Sequence, residues 1–183
     1  MIGLSAVFWI FVFLFAIVGA MRGWAKELLV TFSVILAAFI IAVLENIAPV
    51  IKDILAREPA TRYWVRTLVL IGLAFFGYQS PNISRLASNN RFARERLQDY
   101  LLGIVLGGIN AYLIFGSLWF YMNDYHIAMN AYPFAFIIPP DAATDSGKAA
   151  LDLIARLPPV WLNGTLVYIA VAVAFAFVLV VFL

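Results

Sequence analysis

The sequence contains no cysteine, a single histidine and few charged residues. Without cysteine the chain has no disulfide, no thiolate metal site and no cysteine nucleophile. One histidine, His126, is too few for a haem or zinc centre built from several imidazoles. Charged residues make up 12% of the chain, whereas soluble domains carry about 25%. These shortages argue against most metalloenzymes and against a water-soluble fold.

The residues that are abundant are hydrophobic, at 65% of the chain. They form uncharged runs near 3–21, 28–44, 67–79, 100–122 and 160–183. A run of about 20 apolar residues is long enough to cross a bilayer as a helix. We therefore predict an all-α integral membrane protein, a bundle of about five transmembrane helices with short amphipathic interfacial helices. The run at 67–79 is short, and we expect its helix to begin earlier and include residues 63–65.

The predicted fourth span carries small residues at every fourth position, namely Gly103, Gly107 and Ala111. At 3.6 residues per turn these lie on one helix face, where another helix backbone can approach closely. The alternative is that glycines are simply common in transmembrane helices. We expect the face to pack against another membrane protein or a second copy of this chain. Asp99, just before the span, is expected to cap the first turn of that helix.

A short polar turn separates the first two spans. It comprises Arg22, Gly23, Trp24, Lys26 and Glu27. Glycine frees the backbone to turn, the two basic side chains can reach the lipid headgroups, and Glu27 complements the dipole of the next helix.

Two connectors have membrane-surface character. In 45–66, apolar residues recur at helical spacing opposite Lys52, Asp53 and Arg57, which predicts a short helix on the membrane surface. In 84–98, arginines outnumber acids, which predicts contact with anionic lipid headgroups. These arginines are Arg85, Arg91, Arg94 and Arg96. The basic surface is too small to favour nucleic-acid binding.

The region 126–159 reads as an acidic, proline-containing interfacial loop between a core of residues 1–125 and a last helix at 160–183. Within it, 148–157 predicts a short amphipathic helix. Its expected inward residues are Leu151, Leu153, Ile154 and Leu157. A metal site from Asp124, His126 and Asp141 is conceivable, but the closeness of Asp124 and His126 in sequence is more often chance.

The orientation of the chain follows from its basic residues. Lysine and arginine numbers on the two sides are equal, so the positive-inside rule does not decide by number. The arginines of 84–98 are the most tightly clustered, and the surplus of acids lies on the opposite side. We therefore predict an N-terminus outside the cell and a C-terminus in the cytoplasm.

Two motifs resemble those of the colicin V production protein (CvpA) family, small multi-span proteins of the bacterial inner membrane. The first, Arg-Gly-x-x-(Arg/Lys)-Glu, is matched by Arg22, Gly23, Lys26 and Glu27. The second, Asp-Arg-x-x-Gly-x-x-x-Gly-x-x-Arg-Gly, is matched at its acid and its first two glycines. Those positions are Asp99, Gly103 and Gly107.

The second motif also shows departures from the family pattern. Tyr100 and Asn110 stand at its two arginine positions, and Ala111 stands at its last glycine. The resemblance extends over residues 2–125, and the span at 160–183 is additional to the usual four-helix plan. It implies an inner-membrane protein linked to colicin V production or export and to envelope traits, in a family for which no enzymatic mechanism is settled. Because the sequence shows no catalytic set, we expect no enzymatic activity and no cofactor.

Two functions are consistent with these observations. The first is a non-enzymatic structural or accessory subunit of a larger membrane complex. The second is a small transport or channel component acting as a homo-oligomer. Transporters usually place ionisable groups inside their spans, and the uncharged runs contain none, which lowers the second possibility.

Overall fold

A computed structural model describes residues 3–79 and 93–182, and within them the regular structure is entirely helical. Eight helices follow one another along the described chain. They are α1 (Leu4–Arg22), α2 (Trp24–Asn46), α3 (Pro49–Arg57), α4 (Pro59–Tyr78), α5 (Ala93–Met129), α6 (Asp145–Ile154), α7 (Pro158–Trp161) and α8 (Gly164–Phe182).

Three of these helices are long and apolar enough to cross a membrane: α1, α2 and the 96–129 part of α5. The apolar part of α8, Gly164–Val180, is shorter, and α4 carries Arg62 and Arg66 in its first half. The described chain is therefore all-helical and has the character of a membrane protein, with three helices that could each cross a bilayer. The expected count of five spans is not confirmed.

Helices α1 and α5 form the most extensive helix pair, and they run antiparallel. Near the start of α1, the rings of Phe8 and Trp119 lie 5.8 Å apart between centroids. One turn further, Phe11 stacks on Phe115 at 4.2 Å. At the end of α1, Gly19 meets Gly103. The aromatic rings thus fill the wide end of the pair, and glycines allow close approach at the narrow end.

Helix α2 lies at the centre of the bundle, in contact with α4, α5 and α8. Its buried face packs in one cluster with side chains of α4 and α5; the α2 members are Val30, Val34, Ala37 and Ile41. On another side, Phe32 and Phe39 contact Phe177 and Tyr168 of α8. The additional C-terminal helix is therefore held by α2.

Two helix boundaries bear on the expectations, one agreeing with them and one not. Helix α4 begins at Pro59, in keeping with the expected early start, because proline suits the first turn of a helix, where its missing N–H is not needed. Helix α5 begins at Ala93, before Asp99. The expectation that Asp99 caps its own helix is therefore wrong.

Two short helices have apolar faces. Helix α3 buries Leu55 and leaves Val50 and Ile54 exposed, as expected of a helix on a membrane surface. Helix α6 begins at Asp145, and the residues buried in and after it include Ala150, Ile154 and Leu157. Leu151 is exposed, contrary to expectation, because the buried face of α6 is centred on Gly147, Ala150 and Ile154, and Leu151 lies to one side of that face.

We predict that Gly107→Leu destabilises the fold. A Cβ added at Gly107 would lie 2.9 Å from the Cα of Gly19, so α1 and α5 must separate, at a cost of at least about 1–3 kcal/mol. Gly72→Leu is the control, because a Cβ there meets nothing within 4 Å. Thermal unfolding of the purified protein in detergent measures both. Equal transition temperatures for the two variants would contradict this packing.

Candidate functional site

The carboxylate of Glu27 is buried in the first turn of α2, with 1% of the side chain exposed. An unpaired carboxylate at such a position would be strongly destabilised by the loss of its hydration. Its partner is Arg22, whose Nε lies 2.7 Å from Glu27 Oε1 across the turn between α1 and α2. An ion pair therefore joins the two ends of the polar turn.

Asn110 completes the hydrogen bonding of Glu27 from the opposite side. Its Nδ2 donates to Glu27 Oε2 at 2.8 Å and to the Glu27 carbonyl oxygen at 2.9 Å. Its own Oδ1 accepts a hydrogen bond of 2.7 Å from the hydroxyl of Thr31. Asn110 itself is fully buried. One amide thus joins the middle of α5 to the start of α2.

Arg22 also reaches the end of α4. One of its terminal nitrogens donates to the carbonyl oxygen of Tyr78 at 3.3 Å, and the guanidinium lies 4.7 Å from the centroid of the Tyr78 ring. That carbonyl belongs to the last helical residue, where no intrahelical partner remains. The cluster of Arg22, Glu27, Asn110, Thr31 and Tyr78, which we call the polar clasp, therefore connects α1, α2, α4 and α5.

Asp99 caps α2 instead of α5. Its Oδ1 accepts a hydrogen bond of 3.1 Å from the backbone N–H of Trp24, the first residue of α2. Gly23 makes the approach possible, because its φ of 84° suits glycine and a Cβ there would lie 2.8 Å from the same oxygen. The acid and the glycine of the two motifs thus meet in space.

The small face of α5 is occupied within the chain. Gly103 and Gly107 lie against the backbone of Gly19 in α1, and Ala111 is fully buried. A Cβ added to Gly19 would lie 2.8 Å from the Cα of Gly107. The expectation that this face meets a partner or a second copy is wrong, because α1 fills it.

The arginines expected at lipid headgroups are only partly described. Arg96 is exposed at the start of α5, and Arg94 lies one turn before Gln98 in the same helix. Arg85 and Arg91 lie outside the described residues. Lys26, in the polar turn, is half-buried and engaged in interactions.

A second group of charges lies at the other end of the bundle. Arg66 of α4 pairs with Glu45 at the end of α2 and, at 2.7 Å, with Asp124 of α5. Arg62 also contacts Asp124, at 2.9 Å. Arg66 lies in α4 with only 14% of its side chain exposed. Helix α4 therefore holds an ionisable group, unlike the uncharged runs identified in the sequence.

The charged groups of both clusters are engaged in ion pairs. Each buried charge in both clusters faces an opposite charge. His126 contacts the ring of Tyr132, with centroids 5.4 Å apart. Across residues 3–79 and 93–182, no set of three His, Cys, Asp or Glu side chains is placed to hold a metal ion. The arrangement connects helices.

Sequence reasoning located the motif residues and missed three members of the clasp. Asn110 was noted only as a departure from a motif, and Thr31 and Tyr78 received no role. The available signal was the polar amide of Asn110 inside an otherwise apolar helix, since a buried amide needs partners. The sequence alone does not show which carboxylate faces it.

Comparison with family models gives a match to the family described as colicin V production protein, over residues 4–133. The matched range begins in α1 and ends after α5, and so it includes both motifs and the whole polar clasp. Helices α6 to α8 lie beyond it. No curated protein and no solved structure gives a significant match.

We predict that the effects of Arg22→Met and Glu27→Met on stability are not additive. The double variant should lose less stability than the sum of the losses of the two single variants. Arg22→Met leaves the buried carboxylate of Glu27 without its cation, which costs about 3–5 kcal/mol. Glu27→Met costs less, because Arg22 is 24% exposed and keeps its contacts with Tyr78. The double variant removes both charges. Unfolding in detergent is the measurement, and Lys148→Met, in an exposed pair with Asp145, is the control. A double variant destabilised by the full sum of the single effects would contradict the pairing.

Proposed function

Because the chain belongs to the colicin V production protein family, we propose that it is a non-enzymatic, multi-pass protein of the bacterial inner membrane. In this proposal it acts as a structural or accessory subunit of a larger membrane complex. The observation that carries the proposal is the polar clasp, in which Arg22 and Glu27 pair with each other and their remaining hydrogen bonds go to Tyr78 and Asn110 within the fold. Groups that are paired inside the fold are poorly suited to attack a substrate.

A subunit of this kind presents apolar helix faces to its surroundings. Large side chains on the outer side of α1 are exposed, for example Ile10 at 60% and Phe13 at 70%. On α4, Phe75 and Phe76 are similarly exposed. Lipid or another membrane protein can cover these faces, whereas the Gly103 and Gly107 face is already filled by α1. A protein partner would therefore dock on the outer faces of the bundle.

The proposed orientation has the N-terminus outside and the C-terminus in the cytoplasm. It is supported by where the folded chain groups its charges. The contact of Asp99 with Trp24 brings the turn containing Arg22 and Lys26 to the same end as Arg96. The opposite end carries acids after α5, namely Asp141, Asp145 and Asp152. Because lysine and arginine numbers on the two sides are equal, the positive-inside rule does not decide by number. The proposed orientation rests on the clustering of basic residues near Arg96 and the polar turn.

We predict that the tagged protein, extracted from its native membrane in mild detergent, migrates well above the mass of one 20.4 kDa chain. The reason is that an accessory subunit retains its complex under gentle extraction. Native gels measure the mass, first with the tag on this chain and then with the tag on a protein that is extracted with it. An unrelated multi-pass protein of similar size is the control. A monodisperse monomer that retains no protein would refute the accessory role.

The second candidate, a transport component acting as a homo-oligomer, is favoured by the Arg66 cluster. A cavity of about 300 Å³ is lined by Glu45, Arg66 and Asp124 together with Ser117 and Tyr121. Ionisable groups inside membrane helices commonly mark ion or solute paths. The charges within this cluster balance, since two arginines face two acids.

For this candidate, reconstituted liposomes should pass ions, and Arg66→Met should abolish the flux because the cavity then loses its positive charge. Lys52→Met is the matched control, since Lys52 is an exposed cation on α3 outside the cavity. Flux is followed with an ion-sensitive dye. Liposomes that remain silent with the wild-type protein would reject transport and leave the accessory role in place.

A further inference from the structure

An apolar crevice of about 800 Å³ lies between the start of α1 and the second half of α5. It is at the opposite end of the bundle from the polar clasp, and no motif residue lines it. Its walls are mainly aromatic and aliphatic side chains. They include Phe8, Phe11, Phe115, Leu118, Trp119 and Met122.

The crevice is deep enough to accept part of a hydrocarbon chain. Its lining extends from Met122 to Phe115 along α5, which is about 10 Å of helix at 1.5 Å per residue. The stacked rings of Phe11 and Phe115 line its inner end. An apolar space of this size favours an apolar occupant over water, and pockets of about 300–1,000 Å³ are typical of ligand sites.

The polar part of the crevice is acidic and hydroxylic. It is formed by Asp141, Thr144 and Ser146 near the start of α6, with Ser5 of α1, and none of the lining residues is basic. The position of Asp141 is well defined: its Oδ1 accepts a hydrogen bond from the N–H of Ala143 at 2.8 Å, and its carbonyl accepts one from Thr144 Oγ1 at 3.0 Å. The second carboxylate oxygen is available to a cation.

We propose that this crevice binds one phospholipid with an ethanolamine headgroup. One acyl chain lies between α1 and α5, and the ammonium group pairs with Asp141. The bilayer around the helices supplies this occupant directly. Charge complementarity selects the headgroup, because a carboxylate without a basic neighbour in the lining attracts an ammonium and repels an anionic headgroup such as phosphatidylglycerol.

Such a lipid would join parts of the fold that contact each other little. Helices α1 and α6 touch only slightly, although both line the crevice. An acyl chain between them supplies the missing packing, so the lipid serves as a structural ligand. The inference does not depend on the accessory or transport role proposed above.

The test uses the full-length protein in nanodiscs that contain equal amounts of phosphatidylethanolamine and phosphatidylglycerol. Native mass spectrometry after release measures which lipid remains bound. We expect wild-type protein to retain phosphatidylethanolamine at least tenfold over phosphatidylglycerol. Asp141→Asn should abolish this preference, whereas Asp145→Asn, at an exposed acid outside the crevice, should keep it. Retention of the two lipids in the supplied ratio by the wild type would overturn the proposal.

A second pair of variants tests the apolar part. Val7→Trp fills the crevice from its lining, and Ile10→Trp adds the same ring on the outer face of α1, outside the crevice. We expect the first to lower phosphatidylethanolamine retention tenfold and the second to leave it unchanged. Equal retention in the two variants would overturn the proposal.

A measurement that does not depend on the Val7 variant uses phosphatidylethanolamine with brominated acyl chains. The Trp119 signal is obtained as the difference between wild type and Trp119→Phe. Brominated phosphatidylethanolamine should quench this signal several-fold more than brominated phosphatidylglycerol. Equal quenching by the two lipids would show that the crevice does not select the ethanolamine headgroup, which contradicts the inference.

Discussion

The backbones of α1 and α5 touch at Gly19, Gly103 and Gly107. The polar contacts that α5 makes with the start of α2 depend on this close approach. Within a bilayer no hydrophobic effect drives helices together, so close van der Waals packing has to do so. The glycines also determine the register of the two helices. With that register, Asp99 reaches the start of α2 and Asn110 reaches Glu27. A shift of one turn would separate both pairs.

The polar clasp explains why the two motifs occur together in one chain. The turn motif supplies Arg22 and Glu27, and the glycine motif supplies the acid at 99 and the helix that carries Asn110. Buried charges are costly unless they are paired and hydrogen-bonded. The helix of the glycine motif therefore satisfies polar groups of the turn motif. The neutral amide of Asn110, at a position where the family pattern has arginine, still satisfies the carboxylate of Glu27.

The two ends of the bundle differ in the way they are held. At one end, glycines and the polar clasp bring four helices together. At the other end, Arg66 connects α2, α4 and α5 through Glu45 and Asp124. There, aromatic rings fill part of the space between α1 and α5, and the apolar crevice occupies the rest. Aromatic side chains such as Phe8 and Trp119 keep the helices further apart there than glycine does. The crevice is a consequence of that separation.

Much of the helix content could be predicted from the sequence, because a helix satisfies all the backbone hydrogen bonds of an uncharged run within the run itself. The early start of α4, the short amphipathic α3 and the shared face of Gly103 and Gly107 follow from local spacing alone. The start of α5 was not predicted: the basic residues before Asp99 suggested a connector, yet the helix continues back to Ala93. Local polarity does not reveal how far a helix extends beyond the membrane.

The sequence by itself determined the membrane environment, the approximate position of the long helices and the presence of a face narrow enough for close packing. These properties depend on composition and on the period of 3.6 residues, both of which are local. Only the tertiary structure decided that Gly19 fills this face, that Asp99 caps α2 and that Glu27 is enclosed by Arg22 and Asn110. Apart from the Arg22–Glu27 pair, which is five positions apart, those contacts join residues 75 to 88 positions apart. Their pairing is selected by the geometry of the packed helices.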